Sequence, residues 1–183
     1  ALIAIGKAAC AMARGAEAVL GERIRRALII TRHGYAESLP WPVLTAGHPV
    51  PDDASLAAGT ALDKFIESLP AQENVLVLLS GGASALVEIL PAGVALSDLQ
   101  RINAGLLGSG LDIRAMNAIR RQLSCLKGGR LAARLAPRAV RCLLISDVPT
   151  DDPRVIGSGP LSASEPYSAD LAARPDFLRE ALA

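Results

Sequence analysis

Residues 74–79, Asn-Val-Leu-Val-Leu-Leu, run apolar without alternation and have turn signals on both sides. A strand with one wet face alternates polar and apolar residues. A continuous run reads as a parallel strand covered on both faces. Such a strand needs layers of helix above and below it, and long crossovers to its neighbours. Ala1–Ile5, Arg26–Thr31 and Val140–Ile145 read as strands of the same kind.

The segments between them supply the helices. Gly6-Lys7 leads into a helix whose apolar positions Ala9, Met12, Ala13, Ala16, Val19 and Leu20 recur at helical spacing, with Gly21 as its stop. Arg32–Gly47 reads as irregular, broken by Gly34, Pro40, Pro42 and Gly47. Asp52 or Asp53 caps the next helix, which carries Leu56, Phe65, Ile66 and Leu69. Ser97-Asp98-Leu99-Gln100 reads as a capping box opening another. One long helix is then predicted from about Asp112 to Gly128-Gly129, with Ile113, Met116, Ile119, Leu123 and Leu126 as its buried stripe. The pattern predicts an α/β fold: a three-layer, Rossmann-like domain over residues 1–160 with a mostly parallel sheet. Residues 161–183 read as a weakly patterned tail, the start of a linker, with a short helix at Pro175–Ala183.

Composition narrows the function. Half the residues are apolar (51%) but only 3% are aromatic, so Ala, Leu, Val and Ile must fill the core. Nineteen basic against 18 acidic residues leave a net charge of +1, which builds no field for nucleic acid. The three cysteines, Cys10, Cys125 and Cys142, are far apart and form no CxxC, so neither a disulfide framework nor a zinc knuckle is expected. No stretch reaches the ~18 apolar residues that span a bilayer. A cytoplasmic protein without nucleic-acid or membrane partners is expected, and a homodimer stays open.

Three strands end in polar or glycine-rich turns, and a parallel sheet places all three on one edge, where open α/β sheets bind ligands. Gly6-Lys7 opens a helix, which suits a phosphate or carboxylate, although a surface lysine beside a tight turn has the same spacing. In Ser80-Gly81-Gly82-Ala83-Ser84, two glycines admit a ligand close to the backbone and two hydroxyls add donors. The turn is neither a Walker A loop nor GxGxxG. Asn117, Arg120 and Arg121 fall mainly off the apolar stripe of the predicted helix, as an anion-holding or merely solvated face. Lys127-Gly128-Gly129-Arg130 reads either as a helix C-cap or as a phosphate-facing basic turn. Asp147 follows a buried strand, where a carboxylate can hold Mg²⁺ or take a proton from a hydroxyl. Asp151 and Asp152 fit turn chemistry as well as a site. His33 and His48 have no partner at metal spacing and read as structural or solvated loop residues.

Five motifs then occur in order: IGKAACAM, TAGHPVPDDAS, LLSGGASAL, LLGSGLDIRAMNAIRRQLSCLKGGRLA and LLISDVPTDDPRVIGSGP. From about Leu2 to Pro160 the series resembles the glycerate 2-kinases of the MOFRL type, with their DUF4147 N-terminal domain. This group includes proteins formerly labelled hydroxypyruvate reductases of tartrate catabolism. The resemblance implies a Rossmann-like domain facing a smaller C-terminal MOFRL-type domain, with the active site between them. It implies ATP and Mg²⁺ as cofactors and phosphorylation of D-glycerate at the 2-hydroxyl. It puts the family's active-site lysine on Lys7, its strand-end aspartate (catalytic, or a metal ligand) on Asp147, and its glycine-rich turn on Ser80, Gly81, Gly82 and Ser84. Asn117, Arg120 and Lys127 are expected to add substrate or phosphate contacts. The chain departs from the family at Pro149-Thr150, where a hydrophobic-Gly pair is usual. It also lacks the helical segment before the first strand and the C-terminal domain, so a longer protein is expected. The alternatives are an NAD(P)H-dependent hydroxypyruvate reductase, for which no dinucleotide fingerprint is present, and a non-catalytic small-anion-binding domain.

Overall fold

The computed structural model describes residues 1–111 and 113–162. Five strands form one sheet: β1 (Leu2–Ile5), β2 (Ala27–Arg32), β3 (Val43–Ala46), β4 (Val75–Leu79) and β5 (Val140–Leu144). Their order is β3-β2-β1-β4-β5 and every pairing is parallel. Among the described residues six α-helices accompany them: α1 (Ala9–Leu20), α2 (Asp53–Glu67), α3 (Ala83–Leu86), α4 (Leu96–Gly108), α5 (Ile113–Gln122) and α6 (Arg130–Leu135).

The apolar runs are two-faced, as a buried parallel strand requires. From β1, Ile3 and Ile5 pack with Leu62 and Ile66 of α2 and Leu131 and Leu135 of α6. Leu2 and Ala4 point the other way, against Ala9, Cys10 and Ala13 of α1. The small residues on α1 let the helix approach the sheet closely. A separate small core of Leu99, Ile102, Leu106 and Leu123 holds α4 to the chain after α5. Among the described residues nothing covers the α1-side face of β5, where Leu143 and Ile145 are exposed. No described helix is long and apolar enough to cross a membrane.

Four local expectations change. β3 lies inside the segment expected to be irregular. It is a four-residue edge strand, and Pro42 just before it serves only as an acceptor, from Ile29 N–H at 3.1 Å; an edge tolerates the missing donor. The helix read as capped by Ser97 starts two residues earlier, at Leu96. Asp98 occupies its third position and accepts the Ala95 N–H at 2.9 Å, so Ala95 is the cap residue. The long helix divides. Ser124 Oγ takes the N–H groups of Leu126 and Lys127, both at 3.1 Å, and turns the chain after α5. Leu123 and Leu126 are buried all the same, but in the turn. Gly129 then precedes the unforeseen α6, so Lys127–Arg130 is no C-cap. Asp52 is the cap of α2, accepting from Ser55 N–H at 3.0 Å. The helix expected at Pro175–Ala183 lies outside the described residues.

Candidate active site

The sheet register sets the site. Ile5, Leu79 and Leu144 stand level at the carboxyl ends of β1, β4 and β5, with Ile30 of β2 beside Ile5. The chain leaves β1 toward β2 and leaves β4 toward β5, so the switch point of this sheet lies between β1 and β4. Backbone bonds continue past the strand ends: Ser80 N–H donates to Ile5 C=O at 3.0 Å and Lys7 N–H to Gly81 C=O at 2.9 Å. Ser80 is buried, and its Oγ accepts the Ala8 N–H at 3.0 Å. Its hydroxyl therefore fastens the start of α1.

Two glycines in this turn are demanded by contact. A side chain on Gly81 would collide with the Asp147 carboxylate. Gly82 has φ +89°, and a Cβ there would sit 2.9 Å from the His48 ring and 3.2 Å from the Lys7 stem. Bare backbone is thus what lets Lys7, Asp147 and His48 gather around one turn. Lys7 Nζ lies 3.6 Å from Asp147 Oδ2, with both side chains about half exposed at 40% and 49%. The pair is open to a ligand. The N–H groups of Gly81 and Gly82 have no acceptor among the described residues.

His48 belongs to this corner, although sequence reading put it in an ordinary loop. Burial, together with the positive charges of Lys7 and Arg32, pulls it below the usual histidine range, against an upward pull from Asp147. A neutral imidazole is favoured beside the lysine. His33 is structural, as expected. Its ring bonds Asp52 Oδ2 at 2.8 Å and Thr45 Oγ1 at 3.1 Å, bracing the loop that carries His48 against β3 and α2. Asp152 is bound to Arg154 through its backbone N–H and guanidinium at 2.8–3.1 Å.

His48 also lines a cleft of about 590 Å³, with Ser84, Asn103, Arg120 and Lys127 among its other walls. Arg120 Nε donates to Asn103 Oδ1 at 3.0 Å. Lys127 is buried and ion-paired with Glu88, which is also buried. Glu88 Oε1 further accepts from Ser124 Oγ at 2.6 Å and from Ile89 N–H at 3.0 Å. Asn117 departs from the expected exposed face: only 6% of it is accessible, and it is not among the cleft's walls. Arg121 does not reach the cleft either. Glu88 went unnoticed in the sequence. Its signal was a single charge inside the apolar stretch Leu86-Val87-Glu88-Ile89-Leu90, which demands a buried partner. A larger groove of about 820 Å³ runs between α1 and β5 along the face of the sheet, and its walls are mainly apolar.

Residues 1–175 match the family model described as "Domain of unknown function (DUF4147)". The chain belongs to the DUF4147 family. A D-glycerate 2-kinase of Thermotoga maritima is 40% identical to it over 171 residues, covering 92% of this chain and 41% of that protein. A protein of Agrobacterium vitis named as a hydroxypyruvate reductase is 42% identical over 165 residues, 90% of this chain and 43% of that one. The crystal structure of the Thermotoga maritima glycerate kinase matches this DUF4147 fold with a TM-score of 0.88 at 38% identity, covering 98% of this chain and 43% of that chain. The chain therefore spans roughly two-fifths of the length of these relatives.

Proposed function

We propose that the protein containing this chain is a cytoplasmic kinase that transfers the γ-phosphoryl group of ATP to the 2-hydroxyl of D-glycerate, giving 2-phosphoglycerate and ADP. One observation carries this reading. Turns after three parallel strands converge so that Lys7 and Asp147 stand 3.6 Å apart over the bare backbone of Gly81 and Gly82. The names of the Thermotoga maritima kinase and of its crystal structure point the same way. Residues 1–160 are read as the Rossmann-like half of the catalytic unit and residues 161–183 as the lead into the rest of the protein.

Phosphoryl transfer asks a protein mainly for positioning and charge stabilisation. The 2-hydroxyl oxygen forms a bond to the γ-phosphorus, and the bond from that phosphorus to the β–γ bridging oxygen breaks, its electron pair leaving with ADP. Asp147 orients the hydroxyl and accepts its proton. Lys7 stabilises the negative charge on the transferred group. The free N–H groups of Gly81 and Gly82, with the Ser84 hydroxyl, bind anionic oxygens. Among the described residues no group of three or more His, Cys, Asp or Glu forms a ready metal cage. A single half-exposed carboxylate suits Mg²⁺, which keeps its waters and binds largely through nucleotide phosphates. As the alternative to taking the proton, Asp147 would hold the ion through water, and the ion would supply neutralisation of phosphate charge.

The test is an assay of the full-length protein with ATP, Mg²⁺ and D-glycerate, reading 2-phosphoglycerate by phosphorus NMR and NAD(P)H by absorbance. ATP-dependent product without NAD(P)H change is expected. Hydroxypyruvate-dependent NAD(P)H consumption instead would establish the reductase. Glycerate binding without either turnover would leave an anion-binding domain.

A further inference from the structure

The cleft beside the strand-end corner differs from it in charge. Its walls bring in two cations, Arg120 and Lys127. Lys127 is already neutralised by Glu88, whose carboxylate is buried behind it and held by Ser124 Oγ and Ile89 N–H. Arg120 spends Nε on neutral Asn103, and its two terminal nitrogens have no partner among the described residues. The cleft therefore carries one uncompensated positive charge. That suits a monoanion. It does not suit a triphosphate, which brings three or more negative charges and would leave most of them unpaired in a half-buried site. The remaining walls include Pro49, Val50, Pro51 and Leu99, which accept a short carbon skeleton.

Position agrees with charge. His48 and Ser84 wall the cleft. His48 also packs against Gly82, where the Lys7 stem arrives. The cleft thus adjoins the Lys7–Asp147 corner through His48 and Ser84. In a 2-hydroxy acid the carboxylate is bonded to the carbon that bears the reacting hydroxyl, so its holder must adjoin the catalytic corner.

We propose that this cleft is the carboxylate subsite for the hydroxy acid. Arg120 is its charged contact, and Glu88 is the positioning residue that fixes and neutralises Lys127. The proposal rests on the glycerate kinase reading. Gln100 Nε2 donates to Pro51 C=O at 2.7 Å and ties α4 to the loop on the opposite wall, so the cleft is held at a set width.

The experiment uses the full-length protein, with D-glycerate and ATP varied separately and D-glycerate binding followed by calorimetry. Losing a hydrogen-bonded charge contact predicts that Arg120→Gln raises KM for D-glycerate by about tenfold or more, with KM for ATP within about twofold. Arg120→Lys recovers part of the loss. Glu88→Gln, read by calorimetry on protein with a native circular dichroism spectrum, leaves the Lys127 charge uncompensated in the cleft and shifts D-glycerate binding in the opposite direction, toward tighter. A rise confined to the ATP KM would overturn the assignment and give the cleft to nucleotide phosphates. Unchanged KM for both substrates in an active wild type would overturn the subsite alone. If the wild type binds D-glycerate without turning over ATP, the kinase reading fails; loss of that binding in Arg120→Gln would still uphold the subsite.

Discussion

Lys7 and Lys127 each face a carboxylate, but water reaches one pair and not the other. Lys7 and Asp147 are 40% and 49% exposed at 3.6 Å. Lys127 and Glu88 are 6% and 0% exposed and in direct contact. An exposed pair gains about 0–1 kcal/mol and is easily parted. A buried pair gains little net energy against desolvation, yet leaving one of its charges alone costs about 3–5 kcal/mol. The contrast separates two jobs. The open pair can exchange its partner for a ligand, whereas the closed pair holds a wall in place.

The largest expected effect follows from breaking the closed pair. Lys127→Met leaves the Glu88 charge buried and should destabilise the protein by about 3–5 kcal/mol in chemical denaturation. Lys7→Met should cost less than about 1 kcal/mol in the same measurement. Equal losses would erase the distinction. Gly81→Ala sharpens it from the other side. The added methyl collides with the Asp147 carboxylate and must move it, so kcat should fall by about tenfold or more. Its melting temperature should stay within a few degrees of the parent.

The smallest effect concerns the loop that carries His48. Asp52→Ala removes the α2 cap and the brace to His33, for a loss of about 1 kcal/mol near neutral pH. Burial pushes the Asp52 carboxyl up, but hydrogen bonds from His33, Gly47 and Ser55 outweigh it and hold it at about 2, below its ordinary 3.8. A carboxyl depressed by folding stabilises fully above its ordinary value, and that stability is lost as pH falls toward the folded one. The gap between parent and Asp52→Ala should therefore close between pH 4 and pH 2 in pH-dependent melting curves.

The open pair was legible in the sequence and the closed pair was not, for physical reasons. Lys7, the Ser80–Ser84 turn and Asp147 each follow an apolar run, and a parallel sheet aligns such ends automatically. The wall of the cleft depends on where helices stop. Ser124 ends α5 with a hydroxyl that competes for backbone N–H groups, which periodicity does not register. One long helix was therefore expected where a turn buries Lys127. Glu88 and Lys127 stand 39 residues apart, and only the fold pairs them. β3 was lost among prolines because it is short and lies at an edge. His48 reached the site through a brace of His33 and Asp52 that spans three elements.

The strand-end corner is tested most directly by ATP-dependent turnover of D-glycerate in full-length Lys7→Ala and Asp147→Asn, each checked for an unchanged melting temperature. A fall in kcat/KM of about a hundredfold or more, near 2.7 kcal/mol in the barrier, is predicted for each. Activity within about threefold of the parent, under ~0.7 kcal/mol, would contradict a catalytic role for the residue concerned.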